Sequence, residues 1–170
     1  MKRWRILSCV VAMGLLVGAM SSGCSSKNEE TREEKEEKEK TMASDASLFN
    51  IRVICRASVL YADAHQQSIP NSLEDIKSFL NGGIMMESPK KPKDFDGPSY
   101  IFVKALTGRK LNEFKAPHEY VLVYENPAFC LDYINVGFLD GHEEKMTLAA
   151  FRKALEGTYK KLGEPMPDGI

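Results

Sequence analysis

Fourteen consecutive residues, Lys27 to Lys40, hold five cations, seven glutamates and no apolar side chain. A run like this has nothing to bury, so it joins no hydrophobic core and divides the 170-residue chain in two. Alone it forms either no fixed structure or a solvated helix, in which Glu34 with Lys38 and Glu36 with Lys40 have the favourable i,i+4 order. The favoured reading is a spacer within residues 24–45, ahead of a domain that begins at Ala46. The competing reading is a helix that runs on into that domain.

Ahead of the spacer, Lys2, Arg3 and Arg5 precede a fifteen-residue apolar run from Ile6 to Met20, broken only by Ser8 and glycines. That is short for a membrane span, which takes about 20 apolar residues, and fits the core of a signal peptide over residues 1–23. Two outcomes remain open at Ser21-Ser22-Gly23-Cys24. Ser21 and Gly23 supply the small residues at −3 and −1 that signal peptidase I accepts. The segment also resembles a bacterial lipobox, with Ser22, Gly23 and Cys24 matching its last three positions and Ser21 where Leu is preferred. That resemblance implies lipidation at Cys24 and an exported, lipid-anchored protein of the bacterial cell envelope, facing the periplasm or exterior. Loss of three cations with the leader would leave 20 Lys+Arg against 24 Asp+Glu, a net charge of −4. Such a balance offers no basic footprint for nucleic acid.

Residues 46–162 read as one α+β domain, with 163–170 as a flexible tail. Leu48, Phe49, Ile51, Val53, Ile54, Cys55, Val59, Leu60 and Tyr61 recur at helical spacing as far as about His65, with Ser44 or Asp45 placed to cap the start. Ser72, with Asp75 three residues on, opens a second short helix, which Asn81-Gly82-Gly83 stops. Residues 84–98 read as a long loop. Strands are expected at Tyr100–Val103, Tyr120–Tyr124 and Tyr133–Leu139, rich in Val, Ile, Tyr and Phe. Asp140-Gly141 then signals a type I′ hairpin leading into His142–Met146. Thr147 caps a last helix with Leu148, Phe151, Leu155 and Tyr159 on one face. The expected architecture is an N-terminal helix packed on a small antiparallel sheet, closed by a C-terminal helix.

Two blocks resemble prepilin-type proteins. Tyr61-Ala62-Asp63-Ala64-His65 followed by Ile69-Pro70-Asn71-Ser72-Leu73-Glu74-Asp75 is similar to the segment after the long helix of type II secretion pseudopilins. Tyr120–Pro127 and Ile134–His142 resemble the C-terminal part of a prepilin-type group with a His-x9-Asp-Gly hallmark, in which the His position is here Cys130. The resemblance implies a pilin-like headpiece. No Gly-Phe-Thr-Leu-x-Glu segment opens the apolar run, so Cys24 stands in for the polymerising helix.

Candidate sites beyond Cys24 are few. Cys55 and Cys130 could form a disulfide in an oxidising compartment, or could be two buried thiols. Asp140 and Gly141 are explained by the turn. His65, His118 and His142 are far apart in the chain, so no metal site is expected, and no catalytic motif or cofactor signature is present. Lys90, Lys91, Lys93, Lys104, Arg109, Lys110 and Lys115 concentrate in two loops that are either solvated or a basic face. The functional expectation is a non-enzymatic envelope lipoprotein that contacts the membrane through its N-terminus and meets envelope protein partners, as an accessory of type II secretion or pilus-like machinery. The alternative is a small ligand- or cation-binding lipoprotein using the loops at 84–98 and 104–118.

Overall fold

The charged run is helical. In the computed structural model, which describes residues 31–80, 87–130 and 132–168, helix α1 spans Arg32–Ala64 without interruption. α1 therefore runs across the boundary expected between residues 45 and 46, and neither Ser44 nor Asp45 is a cap. The start is set by Thr31, whose hydroxyl accepts from the Glu34 N–H (3.3 Å) while the Glu34 carboxylate takes the Thr31 N–H (2.8 Å). This reciprocal capping box satisfies two otherwise unpaired donors. Helix-favouring Glu and Lys then propagate a helix already nucleated by its packed C-terminal half. Residues 31–42 are all exposed, a length of about 18 Å at 1.5 Å per residue. The leader and Cys24 lie outside the described residues.

Four strands follow: β1 (Tyr100–Phe102), β2 (Val121–Glu125), β3 (Tyr133–Phe138) and β4 (Glu143–Thr147). They form an antiparallel sheet in chain order, β1-β2-β3-β4. Helix α2, Leu148–Leu162, closes the domain. β2 is buried at every residue and β3 at all but Tyr133, which departs from the in–out alternation of a half-covered sheet. The cause is a helix on each face. Gly137, beside Val123, meets Ile51 and Cys55 of α1, whereas Tyr124 packs its ring on Phe151 of α2 at 4.9 Å. Strand alternation puts Ile134 and Val136 on the α2 side, flanking Asn135 and Gly137 on the α1 side. The domain is thus α+β, with the N-terminal and C-terminal helices on opposite faces of the sheet.

α2 follows its sequence signals. Thr147 caps it by accepting from the Ala150 N–H at 3.2 Å, and Phe151, Leu155, Thr158 and Tyr159 are buried. Gly163, at φ +71°, ends it in a Schellman arrangement: Glu164 N–H reaches Tyr159 O and Gly163 N–H reaches Lys160 O. The register of β2 on β3 shifts between Val121 and Val123, and the Val121 N–H donates instead to the Thr158 hydroxyl at 3.0 Å.

Two expectations need correction. Residues 72–79 form turns and a single 3₁₀ turn at Lys77–Phe79, not a second α-helix. Asp75 N–H donates to the Ser72 hydroxyl and the Asp75 carboxylate accepts from Asn71 N–H, so the capping residues work on a turn too short to propagate. The β3–β4 hairpin is not type I′. Gly141 has φ +94° but Asp140 is not left-handed, and Gly141 N–H bonds to Phe138 O. This is a three-residue loop, Leu139-Asp140-Gly141, with a type I turn and a glycine bulge.

Candidate functional site

The least expected feature is a carboxylate in the interior. Glu125, the last residue of β2, is fully buried. Its Oε1 accepts from the hydroxyls of Ser47 on α1 and Ser88, both at 2.6 Å. Its Oε2 accepts from Lys90 Nζ at 2.7 Å, Asn135 Nδ2 at 3.3 Å and, more weakly, Cys130 Sγ at 3.5 Å. Asn135 also donates to Ser44 O (3.0 Å), and Asn50 donates to the Tyr100 hydroxyl (2.9 Å), which lies 3.3 Å from Ser47 Oγ. α1 therefore presents two kinds of surface to the sheet. Its first buried residues, Ser44, Ser47 and Asn50, are polar; those that follow, from Ile51 to Ala62, are apolar or small. Asn135 Oδ1 and Ser99 Oγ are buried here without a hydrogen-bond partner in the structure.

Chemically the cluster is a clamp. Five donors converge on two carboxylate oxygens, which leaves Glu125 little freedom to act as a base or nucleophile. What it does is fix the segment 87–90, the start of α1's packed face and the end of β2 to one point. Burial in the absence of such donors would cost several kcal/mol; with them the charge is tolerated.

The other sequence-derived candidates are dispersed. Cys55 and Cys130 are separate free thiols, so the bridge considered above is not formed. Cys55 packs against Gly137, and burial pushes its thiol strongly up; Cys130 sits by Glu125 and Lys90. Burial first, then the charge of Glu125, raises the Cys130 thiol to about 12, and burial raises the Tyr124 phenol to about 12. Asp140 accepts from His142 N–H and pairs with the His142 ring, which stacks on Phe138 at 4.2 Å. His65 stacks on Tyr61 at 4.0 Å. Among the described residues no three His, Cys, Asp or Glu side chains come together as metal ligands, and no helix is long and apolar enough to cross a membrane.

Three of the loop cations are engaged within the domain. Lys90 is committed to Glu125, Lys91 pairs with Glu87 at 2.7 Å, and Arg109 donates to Leu162 O at 3.3 Å, gripping the end of α2. No protein-family model, curated protein or solved structure matches this chain.

The raised thiol and phenol have a consequence for pH. Both groups fold in the neutral form, so their contribution to stability is intact below their ordinary pKa values, about 9 for the thiol and about 10 for the phenol. It is lost as pH climbs from there towards about 12. Urea midpoints should be level from about pH 7 to 8 and fall steeply above about pH 9. In the folded protein, alkylation of Cys55 and Cys130 at about pH 8 should be far slower than in urea.

Proposed function

We propose that this chain is a non-enzymatic, lipid-anchored envelope protein that holds a pilin-like α+β headpiece away from the membrane for contact with protein partners. The observation that carries this reading is α1. Its first eleven residues are exposed and its remainder forms one layer of the domain, so a single helix is both support and part of the head. A long N-terminal helix laid on a small antiparallel sheet is also the arrangement that the resemblance to pseudopilins implies. The interior carboxylate, saturated by its donors, supports a structural rather than a catalytic use of the most polar part of the core.

Intact mass of membrane-extracted protein tests the anchor. The expected species lacks residues 1–23 and carries acyl groups on Cys24, and Cys24→Ala should move the protein out of the membrane fraction. A soluble, unacylated mature protein would sink the anchoring. Affinity capture from crosslinked envelopes tests the partner: recovery of a secretion or pilus component is expected, and consistent failure to recover one counts against the accessory role.

A further inference from the structure

One carboxylate oxygen brings an amine and a carboxamide together in the interior. Oε2 of Glu125 accepts from Lys90 Nζ at 2.7 Å and from Asn135 Nδ2 at 3.3 Å, so the two groups are neighbours around a single atom. Strand register explains half of the meeting. Tyr124 pairs with Val136 across β2 and β3, which sets Glu125 beside Asn135 on the face that α1 covers. Lys90 supplies the other half, reaching in from a segment that Ser88 pins to Oε1. Glu125 and Asn135 are fully buried, and the Lys90 side chain is only 15% exposed.

Hydrogen bonding alone leaves this arrangement incomplete. Asn135 is held by one end: Nδ2 donates to Ser44 O and to Glu125, while Oδ1 is buried with no partner in the structure. A carboxamide kept only to fill hydrogen bonds would pair both ends, because an unmatched buried acceptor is costly. A buried ion pair is likewise a poor way to hold a loop, since well-packed apolar side chains often do as well or better. An amine, a carboxamide and a carboxylate touching both, in a site nearly closed to water, are however the parts of an amide-forming centre. The donors around Glu125 deny it an outside substrate, yet moving a proton between two groups that it already touches needs no freedom.

We propose that Lys90 and Asn135 join in an intramolecular amide (isopeptide) bond, made by the folded chain itself. The Lys90 ammonium gives a proton to Glu125 along their hydrogen bond, and its flexible stem lets the neutral Nζ swing from Oε2 onto Asn135 Cγ. Negative charge gathers on Oδ1, the oxygen that is not yet engaged. Glu125 then hands its proton to Nδ2 and takes a second one from Nζ. The Cγ–Nδ2 bond breaks, the Nζ–Cγ bond remains, and ammonia carries the last proton away as ammonium. One lysine ammonium and one carboxamide thus become one amide and one ammonium ion, with nothing oxidised or reduced. The product is a covalent ring from Lys90 to Asn135 with β1 and β2 inside it, so the use of the site stays structural. The proposal is independent of the anchor and of the machinery role.

Peptide mapping of the full-length protein, purified from its own membranes and digested after denaturation, tests it. The expected digest contains a branched peptide joining Lys90 to Asn135, lighter by one ammonia than its two parts. Asn135→Asp should give the same branch with loss of water in place of ammonia, and Lys90→Arg should give none. Glu125→Gln keeps the shape of the side chain but cannot carry the proton, so in folded protein the bond should form about a hundredfold more slowly. Separate, unlinked Lys90 and Asn135 peptides from the folded parent protein overturn the proposal. So does a branch that has lost water, which places the bond on Glu125, or one that has gained oxygen, which places it on Cys130, 3.6 Å from Nζ. Undiminished linkage in folded Glu125→Gln refutes the proton carrier, and should that variant not fold, the parent and Asn135→Asp masses decide.

Discussion

Glu125→Ala should lower the unfolding free energy by about 3–5 kcal/mol. Truncation removes the acceptor for two hydroxyls, an amide and a lysine at once, and leaves Lys90 charged with no counter-ion at a largely buried site. The cost is that of stranding the partners, so it should shrink when they are removed together. In a double-mutant cycle, Lys90→Met should be destabilising alone but should cost much less in the Glu125→Ala background. Urea denaturation of the two single variants, the double variant and the parent provides the cycle. Additive losses would mean that Lys90 and Glu125 do not act as a pair. The local signature is specific as well: segment 87–90, held through Ser88 and Lys90, should lose amide-exchange protection before the sheet does.

Gly137→Ala should cost about 1–3 kcal/mol or more through overpacking. Gly137 lies where α1 comes closest to β3. A methyl group there would overlap Cys55 Sγ, and would stand 3.0 Å from Ile51 Cγ2 and 3.1 Å from Val123 Cγ1. The neighbours cannot yield easily, since Ile51, Cys55 and Val123 are themselves fully buried. The clash identifies its own remedy. Cys55→Ala alone should be mildly destabilising through the cavity it leaves, yet combined with Gly137→Ala it should recover most of the loss, because the new methyl enters the space vacated by sulfur. Thermal or urea unfolding of the four proteins reads this out. A double variant no better than Gly137→Ala would show that the close approach is governed by Ile51 and Val123 rather than by the thiol.

Apolar periodicity carried much of the fold into the sequence. The face formed by Phe151, Leu155 and Tyr159, the Thr147 cap and the β-rich runs all correspond to elements of the structure. The charged run was harder, because its fate depends on a cap outside the apolar pattern. Thr31 with Glu34 is a capping box that composition alone conceals beneath a row of charges. Asp-Gly at 140–141 marked the hairpin but not its type, since the same letters serve a two-residue loop and a three-residue loop with a bulge. The buried clamp was the least legible part. Ser44, Ser47 and Asn50 share a face with Ile51 and Ile54, which is a readable hint that polar residues point inward. Their acceptor, however, lies 78 residues from Ser47 and inside a strand that otherwise reads as plain apolar sequence. No local spacing rule connects the two, so the pairing becomes visible only once tertiary structure places them together.

The continuity of α1 also has a mechanical meaning. A flexible strap transmits tension and nothing else, and whatever it carries turns freely. A helix that is capped at Thr31 and fastened to the sheet through Ser47 and Glu125 also transmits bending and torque. A displacement applied near Thr31 therefore reaches the sheet as a rotation, with the exposed turns serving as a lever arm of about 18 Å.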